Sequence, residues 1–182
     1  MENEKINIKK TIILLVLAVL LGHLGGKYLI GPCKIVGESM EPNYLNNQMV
    51  FANKAAINIV HKKPKRGDVV IIDGPKIDFF PPSKIIKRVI GLPGEEIEIK
   101  PDSSVFINGD LLKEEYLDEV AKSNTYTEHY EIFYSQNLKI KLKDDEYFYM
   151  GDNRSNSFDS RTVGPCKYSK IEGIVITKKL KN

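Results

Sequence analysis

Beyond residue 30, short apolar runs rich in Val, Ile, Phe and Tyr alternate with polar residues and are separated by Gly, Pro and charged turns. Such runs are typical of β-strands, since branched and aromatic side chains fit a pleated surface. Helical periodicity is scarce in this part of the chain, so we predict a mainly β, antiparallel sheet or partly open barrel. The pattern predicts strands within residues 48–54, 67–73, 83–92, 95–100, 138–143, 146–151 and 170–180.

A hairpin is predicted within residues 105–112, "VFINGDLL", where Asn108 and Gly109 separate two apolar stretches. These two residues tolerate the positive φ angles that a type I′ turn requires. The hairpin falls in a polar, tyrosine-rich stretch, residues 101–145, which we predict to be a small inserted β subdomain. The insertion would divide the main β domain into two parts, residues 31–100 and 146–182.

The N-terminal segment differs from the rest because its apolar run, Ile12 to Gly22, is unbroken. A helix over residues 11–30 would be about 30 Å long, enough to cross a bilayer core. The two lysines just before the run favour a cytoplasmic tail, residues 1–10. A cleaved secretory signal is the competing interpretation, but no Ala-x-Ala follows the run. We therefore predict a single-pass protein of the cell membrane with its β domain outside the cytoplasm.

Charge and composition argue against several classes of partner and cofactor. The formal net charge is only +3 and the basic residues lie in several small clusters, which argues against a nucleic-acid partner. No group of His, Cys or carboxylates has metal-ligand spacing, so neither a metal nor a cofactor is expected. Cys33 and Cys166 could form a disulfide outside the cytoplasm or remain free thiols, and both alternatives stay open.

Ser39, in "KIVGESMEPNYL", follows a short apolar stretch where we expect a strand to end in a turn. A serine hydroxyl is a poor nucleophile until a base removes its proton. The three histidines are weak candidates for that base: His23 lies in the anchor, His61 in a basic loop and His129 in the polar insertion. Lysine is the remaining candidate, and an ordinary turn serine is the plainer alternative.

Lys87 lies within an apolar strand, "SKIIKRVIGL". Period-2 alternation would direct it to the same face as Ile85 and Val89, while Lys84 or Arg88 faces water. Burial among apolar neighbours disfavours an ammonium and can lower a lysine pKa by several units. Lys87 is therefore a candidate base, although an amphipathic strand with a polar face would give the same pattern.

A third stretch, "MGDNRSNSFDSRTVG" (residues 150–164), is unusually polar for a turn. Two aspartates, two arginines and three serines lie between Gly151 and Arg161. Short Asp and Ser side chains cap backbone amides, and Arg holds a carboxylate through two parallel hydrogen bonds. The stretch is either a structured polar loop or a brace for a catalytic site.

Together, "GESMEP", "KRGDVVII", "KRVIGLPGE" and "GDNRSNSFDSR" resemble the successive boxes of the type I signal peptidase family, in the family's order. An "NG" hairpin followed by "EEYL", here at residues 108–117, is also similar to members of that family. The resemblance covers roughly residues 5–178. It implies a membrane-bound serine endopeptidase that removes N-terminal signal peptides from exported preproteins, after small residues at positions −3 and −1.

The resemblance also implies catalytic roles. Ser39 matches the family's nucleophile and Lys87 its general base, and an acyl-enzyme intermediate follows. Ser157 matches the serine that hydrogen-bonds the lysine amine. Asp159 and Arg161 match a supporting ion pair beneath the site.

Further positions match residues that brace the site or bind substrate. Asp152 belongs to the bracing loop, together with Arg154. Gly37 stands where some members carry a serine that helps to hold the oxyanion, so main-chain N–H groups would serve here. Ile35 and Ile86 match positions that shape pockets for small side chains, and Met40 follows the nucleophile as the family expects.

The partners implied by the resemblance are preproteins with signal peptides and membrane lipid, close to the export translocon. Self-cleaving Ser/Lys proteases of the repressor type are one alternative, although those are cytoplasmic and carry a DNA-binding module. A membrane-anchored β domain that binds peptides without catalysis is another. Membrane fractionation tests the first alternative, and incubation with a preprotein tests the second.

Overall fold

The computed structural model describes residues 8–75, 84–125 and 138–177. Two short 3-10 turns, Arg154–Asn156 and Tyr168–Lys170, accompany its helices and strands. In chain order these are α1 (Ile8–Tyr28), β1 (Ile30–Lys34), β2 (Met49–Asn53), α2 (Ala55–Asn58), β3 (Val69–Asp73), β4 (Lys84–Gly91), β5 (Glu96–Ile99), β6 (Val105–Ile107), β7 (Asp110–Leu111), α3 (Glu119–Ser123), β8 (Leu138–Lys141), β9 (Glu146–Met150), α4 (Ser160–Val163), β10 (Cys166–Lys167) and β11 (Ile171–Val175).

The strands form two antiparallel sheets, which confirms the predicted fold class of a mainly β protein. The larger sheet has the order β1-β2-β11-β3-β4-β9-β10, and the smaller one the order β7-β6-β5-β8. Each strand predicted from the sequence contains an observed strand. A strand ending ahead of the Ser39 turn was expected without stated bounds, and β1 lies there. β10 was not predicted, because it has only two residues. Pro32 is tolerated because β1 is an edge strand.

The predicted hairpin is confirmed in its position and its turn. Ile107 faces Asp110 across the strand pair β6–β7. Between them, Asn108 has a φ of 50° and Gly109 a φ of 90°, as a type I′ turn requires. The Asn108 side chain also accepts a hydrogen bond from the Glu96 N–H at 2.8 Å, which fastens the turn to β5.

The two sheets share apolar core. Ile90 of β4 with Phe148 and Met150 of β9 packs against buried residues of the smaller sheet, among them Ile97 and Val105. Full burial of such a side chain contributes about 1.5–3 kcal/mol, so the smaller sheet is fastened to the larger one. Since β5 already belongs to it, the smaller sheet begins before residue 101, the predicted start of the insertion.

Helix α1 overlaps the predicted anchor, residues 11–30, without coinciding with it, because Ile30 already begins β1. The carbonyl oxygen of Leu29 accepts hydrogen bonds from the N–H groups of Lys54 (2.7 Å) and Ala55 (3.0 Å), which join the end of the helix to the β domain. Within the described part of the chain, no helix has both the length and the apolar character that crossing a membrane needs.

Candidate active site

The turn that carries Ser39 follows β1 and is held from two sides. Gly37, two residues earlier, has a φ of 98°, a conformation that residues with a side chain rarely adopt. Its N–H donates to Asn46 Oδ1 at 3.1 Å. From the other side, the Asn153 N–H donates to the Ser39 carbonyl oxygen at 3.0 Å. The half-buried Ser39 is thus presented by a turn of defined shape.

Lys87 lies in the middle of β4, which pairs with β3 on one side and β9 on the other. Only 3% of the residue is exposed, because both neighbouring strands and the turn around Ser39 enclose it. Its Nζ lies 2.5 Å from Ser39 Oγ, although 48 positions separate the two residues in the chain. The fold therefore brings the candidate nucleophile and the candidate base into direct contact.

The environment of Lys87 favours its neutral form. Burial lowers the pKa of Lys87 from 10.5 to about 8, because the ammonium loses its hydration. Asp159 raises the pKa, Arg161 lowers it and Asp152 raises it, each less than burial does. A substantial fraction of the amine is therefore uncharged in weakly alkaline solution, and only an uncharged amine can accept a proton from a hydroxyl.

Asp159 and Arg161 form a buried ion pair beside this amine. Arg161 Nε and Nη2 donate to the two carboxylate oxygens of Asp159, each at 2.9 Å, and the Gly151 N–H donates to Oδ2 at 2.9 Å. Burial alone would raise the pKa of Asp159, but the charge and hydrogen bonds of Arg161 outweigh it and lower the pKa. Asp159 is therefore a carboxylate, and it also caps the short helix α4.

Ser157, which the resemblance matches to a serine that hydrogen-bonds the lysine amine, lies in the same loop. Its Oγ is buried and lies near enough to Asp159 to favour that carboxylate's charged form, yet no described group stands at hydrogen-bond geometry to it. A Cβ built on Gly151 would overlap both the Ser157 side chain and the Ser39 carbonyl oxygen. The loop thus approaches the Ser39 turn closely at Gly151.

Arg88 was predicted as one of two residues that could face water, and for Arg88 that prediction is wrong. It is 8% exposed and forms an ion pair with Asp152, with Nε to Oδ1 at 2.8 Å and Nη2 to Oδ2 at 2.5 Å. The reason is that both faces of β4 are covered: the Tyr116 ring lies 4.2 Å from the Arg88 guanidinium carbon. The other candidate, Lys84, is exposed.

A second buried ion pair was missed by the sequence analysis. Arg154, which is 1% exposed, donates from Nη2 to Glu114 Oε1 at 2.5 Å and from Nη1 to Thr125 Oγ1 at 2.6 Å. Glu114 and Thr125 both lie in the predicted insertion. The similarity of "EEYL" to the family was the one signal in that region, and it indicated no contact with Arg154.

The apolar candidates cluster at one end of the site. Ile35, Ile86 and Met40 belong to a single buried group that also contains Tyr44 and Val50. Ile35 and Ile86 line a shallow groove between the end of β1 and the start of β4. Met40 is fully buried beneath the turn and lies outside the groove lining.

The remaining candidates carry no site chemistry. Cys33 and Cys166 are both free thiols, on strands that pair with different neighbours, and burial raises the pKa of Cys166 to about 12. Among the residues that the structure describes, no three His, Cys, Asp or Glu side chains are grouped so that they could hold a metal ion.

A serine hydroxyl in contact with a buried lysine amine is an arrangement that can activate the hydroxyl as a nucleophile without a histidine. Comparison with known proteins defines the family. Residues 8–178 match the family described as "Signal peptidase, peptidase S26". The chain belongs to this family, and is accordingly a serine peptidase that removes signal peptides.

Two named relatives agree with the family match. Signal peptidase I S of Bacillus subtilis (strain 168) is 34% identical over 165 residues, 88% of this chain and 84% of the relative. Signal peptidase I T of the same organism is 38% identical over 150 residues, 81% of this chain and 72% of the relative. A crystal structure of a signal peptidase I from Enterococcus faecalis V583 aligns with a TM-score of 0.48 and 34% identity, covering 62% of this chain and 97% of that chain.

Proposed function

We propose that Ser39 is the nucleophile and Lys87 the general base of peptide-bond cleavage. One observation carries this proposal: the Lys87 amine is buried and lies 2.5 Å from Ser39 Oγ. Neutral Nζ takes the hydroxyl proton while Oγ attacks the scissile carbonyl carbon. The resulting ammonium then gives this proton to the departing amine, and an acyl-enzyme on Ser39 remains.

The second half of the reaction uses the same two groups. Lys87, neutral again, takes a proton from a water molecule, whose oxygen attacks the acyl carbon. The tetrahedral intermediate collapses, the C–Oγ bond breaks, and the proton returns from Nζ to the serine oxygen. The Ser39 N–H on the turn after Gly37 is the proposed main-chain donor to the oxyanion.

The loop between Gly151 and Arg161 holds the base. Ser157 is proposed to hydrogen-bond the Lys87 amine when substrate closes the site, which would give its buried, unbonded Oγ a partner. The ion pair of Asp159 and Arg161 supports this position from below, and Asp152 joins the loop to β4 through Arg88.

The substrate is proposed to be an exported preprotein, bound as an extended strand in the groove between β1 and β4. Main-chain hydrogen bonds give affinity in such strand addition, and shallow pockets give specificity. Ile35 and Ile86 line the groove and leave room only for small side chains at positions −3 and −1. Met40 supports these pockets from beneath, as a fully buried neighbour of both isoleucines.

We further propose that residues 11–30 anchor the protein in the cell membrane in a single pass, with residues 1–10 cytoplasmic and the catalytic domain outside. Support comes from the apolar side chains of α1, since those over residues 12–21 are about half or more exposed. An apolar patch that includes Ile30, Met49 and Phe51 adjoins the end of the helix. Apolar surface of this extent is of the kind that contacts lipid. In this proposal the site lies close to the translocon from which preproteins emerge.

The division of the chain into domains follows the same proposal. Residues 31–100 and 146–182 form the catalytic β domain, and residues 101–145 the inserted subdomain. The buried cores support a division of this kind, because one core is built from the larger sheet and helix α2, and another is built largely from the smaller sheet.

Cleavage of a preprotein by the purified full chain in detergent tests the function. Ser39→Ala and Lys87→Ala are expected to lower kcat/KM by about 10³-fold or more, since each removes a group the chemistry requires. Lys87→Arg should fail equally, because a guanidinium stays protonated. Lys139→Ala, on an exposed lysine of β8, is the matched control and should keep full activity.

The pH profile distinguishes the base from a structural lysine. In the wild-type protein kcat/KM should rise with pH through a midpoint near 8, the value to which burial lowers the pKa of Lys87. Normal processing by Lys87→Ala would overturn the assignment of the base. Binding of the preprotein with no processing by the wild type would instead favour a peptide-binding domain without catalysis.

A further inference from the structure

Glu114 and Thr125, here termed the insert clamp, lie in the predicted insertion and contact the loop from Gly151 to Arg161. Glu114 follows β7 and Thr125 follows α3, and both are buried. Forty positions separate Glu114 from Arg154 in the chain, yet the two form an ion pair. The insertion thus reaches the loop that carries the supporting groups of the site.

The insert clamp accepts three hydrogen bonds from the five N–H groups of the Arg154 guanidinium. Nη1 donates to Glu114 Oε2 at 3.1 Å and to Thr125 Oγ1 at 2.6 Å, while Nη2 donates to Glu114 Oε1 at 2.5 Å. A fourth N–H, that of Nε, donates to the Gly151 carbonyl oxygen at 3.0 Å. Arg154 is therefore held at one end by the insertion and at the other by the loop itself.

Thr125 and Arg154 also contact Arg161, which forms the ion pair with Asp159 beside Lys87. Arg161 Nη1 donates to the Thr125 carbonyl oxygen at 2.9 Å, and Nη2 donates to the Arg154 carbonyl oxygen at 2.9 Å. A continuous set of hydrogen bonds thus runs from Glu114 through Arg154 and Arg161 to Asp159.

We propose that Glu114 is a positioning residue for cleavage: through Arg154 it holds the loop from Gly151 to Arg161 so that Asp159 stays beside the Lys87 amine. The proposal rests on the proposed role of Lys87 as base. Glu114 does not touch Lys87 or Ser39 at hydrogen-bonding distance in the described structure, so its effect is indirect. It passes mainly through Arg154 and Arg161; Glu114 also accepts a hydrogen bond from the Tyr116 hydroxyl at 2.5 Å, and the Tyr116 ring packs on Arg88.

The charges of Glu114 and Arg154 distinguish a positioning role from simple stabilisation, because they act on Asp159 and through it on the protonation of Lys87. The groups whose charges act on the Lys87 amine are Asp159, Arg161 and Asp152. Burial alone would lower the pKa of Arg154, but the nearby negative groups, chiefly Glu114 through its charge and hydrogen bonds, outweigh burial and raise it. Asp159 adds to this rise. Without the Glu114 carboxylate, the uncompensated charge of Arg154 acts more strongly on Asp159 and weakens the field that this carboxylate exerts on Lys87. The amine then loses its proton at lower pH.

Full-length Glu114→Gln in detergent tests the proposal, with Glu115→Gln as the matched control at the neighbouring exposed carboxylate. For Glu114→Gln we expect kcat to fall about tenfold with little change in KM. The midpoint of the kcat/KM profile should move to lower pH by about half a unit. Glu115→Gln should change neither, and Glu114→Asp, which keeps the charge, should recover much of kcat.

Thr125→Val provides a second variant of nearly the same shape, because it removes only the hydroxyl that bonds Arg154. It is expected to lower kcat in the same direction by a smaller factor, about threefold. A folded Glu114→Gln protein with wild-type kcat and an unmoved pH midpoint would overturn the proposal. So would a loss of activity that matches the unfolded fraction measured by near-ultraviolet circular dichroism.

Lys87→Ala separates failure of the positioning role from failure of the dyad, meaning Ser39 as nucleophile and Lys87 as base. If Lys87→Ala is inactive while Glu114→Gln behaves as wild type, the insert clamp has no positioning role and the dyad stands. If Lys87→Ala retains activity, the dyad is wrong, and the positioning role that rests on it is overturned as well.

Discussion

Arg88 and Asp152 form a two-bond ion pair next to the lysine of the site, with Nε to Oδ1 at 2.8 Å and Nη2 to Oδ2 at 2.5 Å. Asn43 Nδ2 donates to the same carboxylate at 2.9 Å. Since Arg88 directly follows Lys87 on β4, the pair ties the strand that carries the proposed base to the loop that carries Asp159. Its geometry therefore bears on both stability and catalysis.

Arg88→Met should destabilise the protein by about 3–5 kcal/mol, because it leaves the Asp152 carboxylate buried without its cation. Urea unfolding of the full chain in a non-denaturing detergent, followed by tyrosine fluorescence, measures this change. The double variant Arg88→Met with Asp152→Asn removes both charges and should cost much less. A loss below 1 kcal/mol in the single variant would contradict this account of the pair.

Lys87→Met should make the folded state more stable near neutral pH. The pKa of Lys87 is about 8 in the folded protein, against 10.5 for an ordinary lysine, so the unfolded chain binds more protons between these values. The contribution of Lys87 to stability is therefore lowest below pH 8 and rises as the pH approaches 10.5. Replacement by methionine removes this cost, about 3 kcal/mol at pH 7.

Urea unfolding of the wild type and of Lys87→Met at pH 7 and at pH 10 provides the check. The gain in the free energy of unfolding should be large at pH 7 and should shrink at pH 10, where the lysine is mostly neutral in the folded protein. A difference between the two proteins that is the same at both pH values would show that the lysine carries no such cost.

The strands could be predicted because their apolar pattern is local, and the positions of Ser39 and Lys87 followed from the same local stretches and from the family resemblance. The burial of Arg88 could not be predicted, because the alternating pattern of a strand assumes that one of its faces is exposed to water. β4 lies between two strands in the interior of the larger sheet, and Tyr116 of the insertion covers its second face. Only the tertiary arrangement supplies that cover.

The contact between Glu114, in the predicted insertion, and Arg154 could not be predicted from the sequence for a related reason. Glu114 and Arg154 are 40 positions apart and lie in stretches that the composition separates into different units. A lone glutamate in a polar stretch is normally solvated. The burial of Glu114 follows from the apolar contacts between the two sheets, which bring the predicted insertion against the loop from Gly151 to Arg161.

Gly151→Ala should abolish most activity and also destabilise the protein. The added Cβ would overlap the Ser39 carbonyl oxygen, a backbone atom, as well as the Ser157 side chain. Overpacking of this kind costs about 1–3 kcal/mol, and the Ser39 turn must shift to relieve it. Gly173→Ala is a suitable control, since its nearest neighbour would be the Ala52 Cβ at 3.3 Å, far from the site.

Processing assays and urea unfolding of both glycine variants check this prediction. The Gly151 variant should lose kcat by about tenfold or more even after correction for any unfolded fraction. Wild-type kcat in Gly151→Ala would mean that the turn tolerates displacement and that its close contact with the loop is not needed for catalysis.

Ser157→Ala should separate activity from stability. The Ser157 Oγ is buried and has no hydrogen-bond partner within the described residues, so removal of the hydroxyl relieves a polar group that burial has stripped of water. The free energy of unfolding should stay unchanged or rise by about 1 kcal/mol. If the hydroxyl orients the Lys87 amine during the reaction, kcat should nevertheless fall about tenfold or more.

Ser155→Ala is the matched control for this variant, because Ser155 is exposed in the same loop and its hydroxyl bonds only the neighbouring Asn153 side chain within the described structure. It should keep both the wild-type kcat and the wild-type urea midpoint. Full activity in Ser157→Ala would remove Ser157 from the site, whereas a large loss of stability would mean that its hydroxyl has a partner in the folded protein. The combination of a stable fold and a slow reaction is the result expected of a hydroxyl that acts at the lysine amine during the reaction.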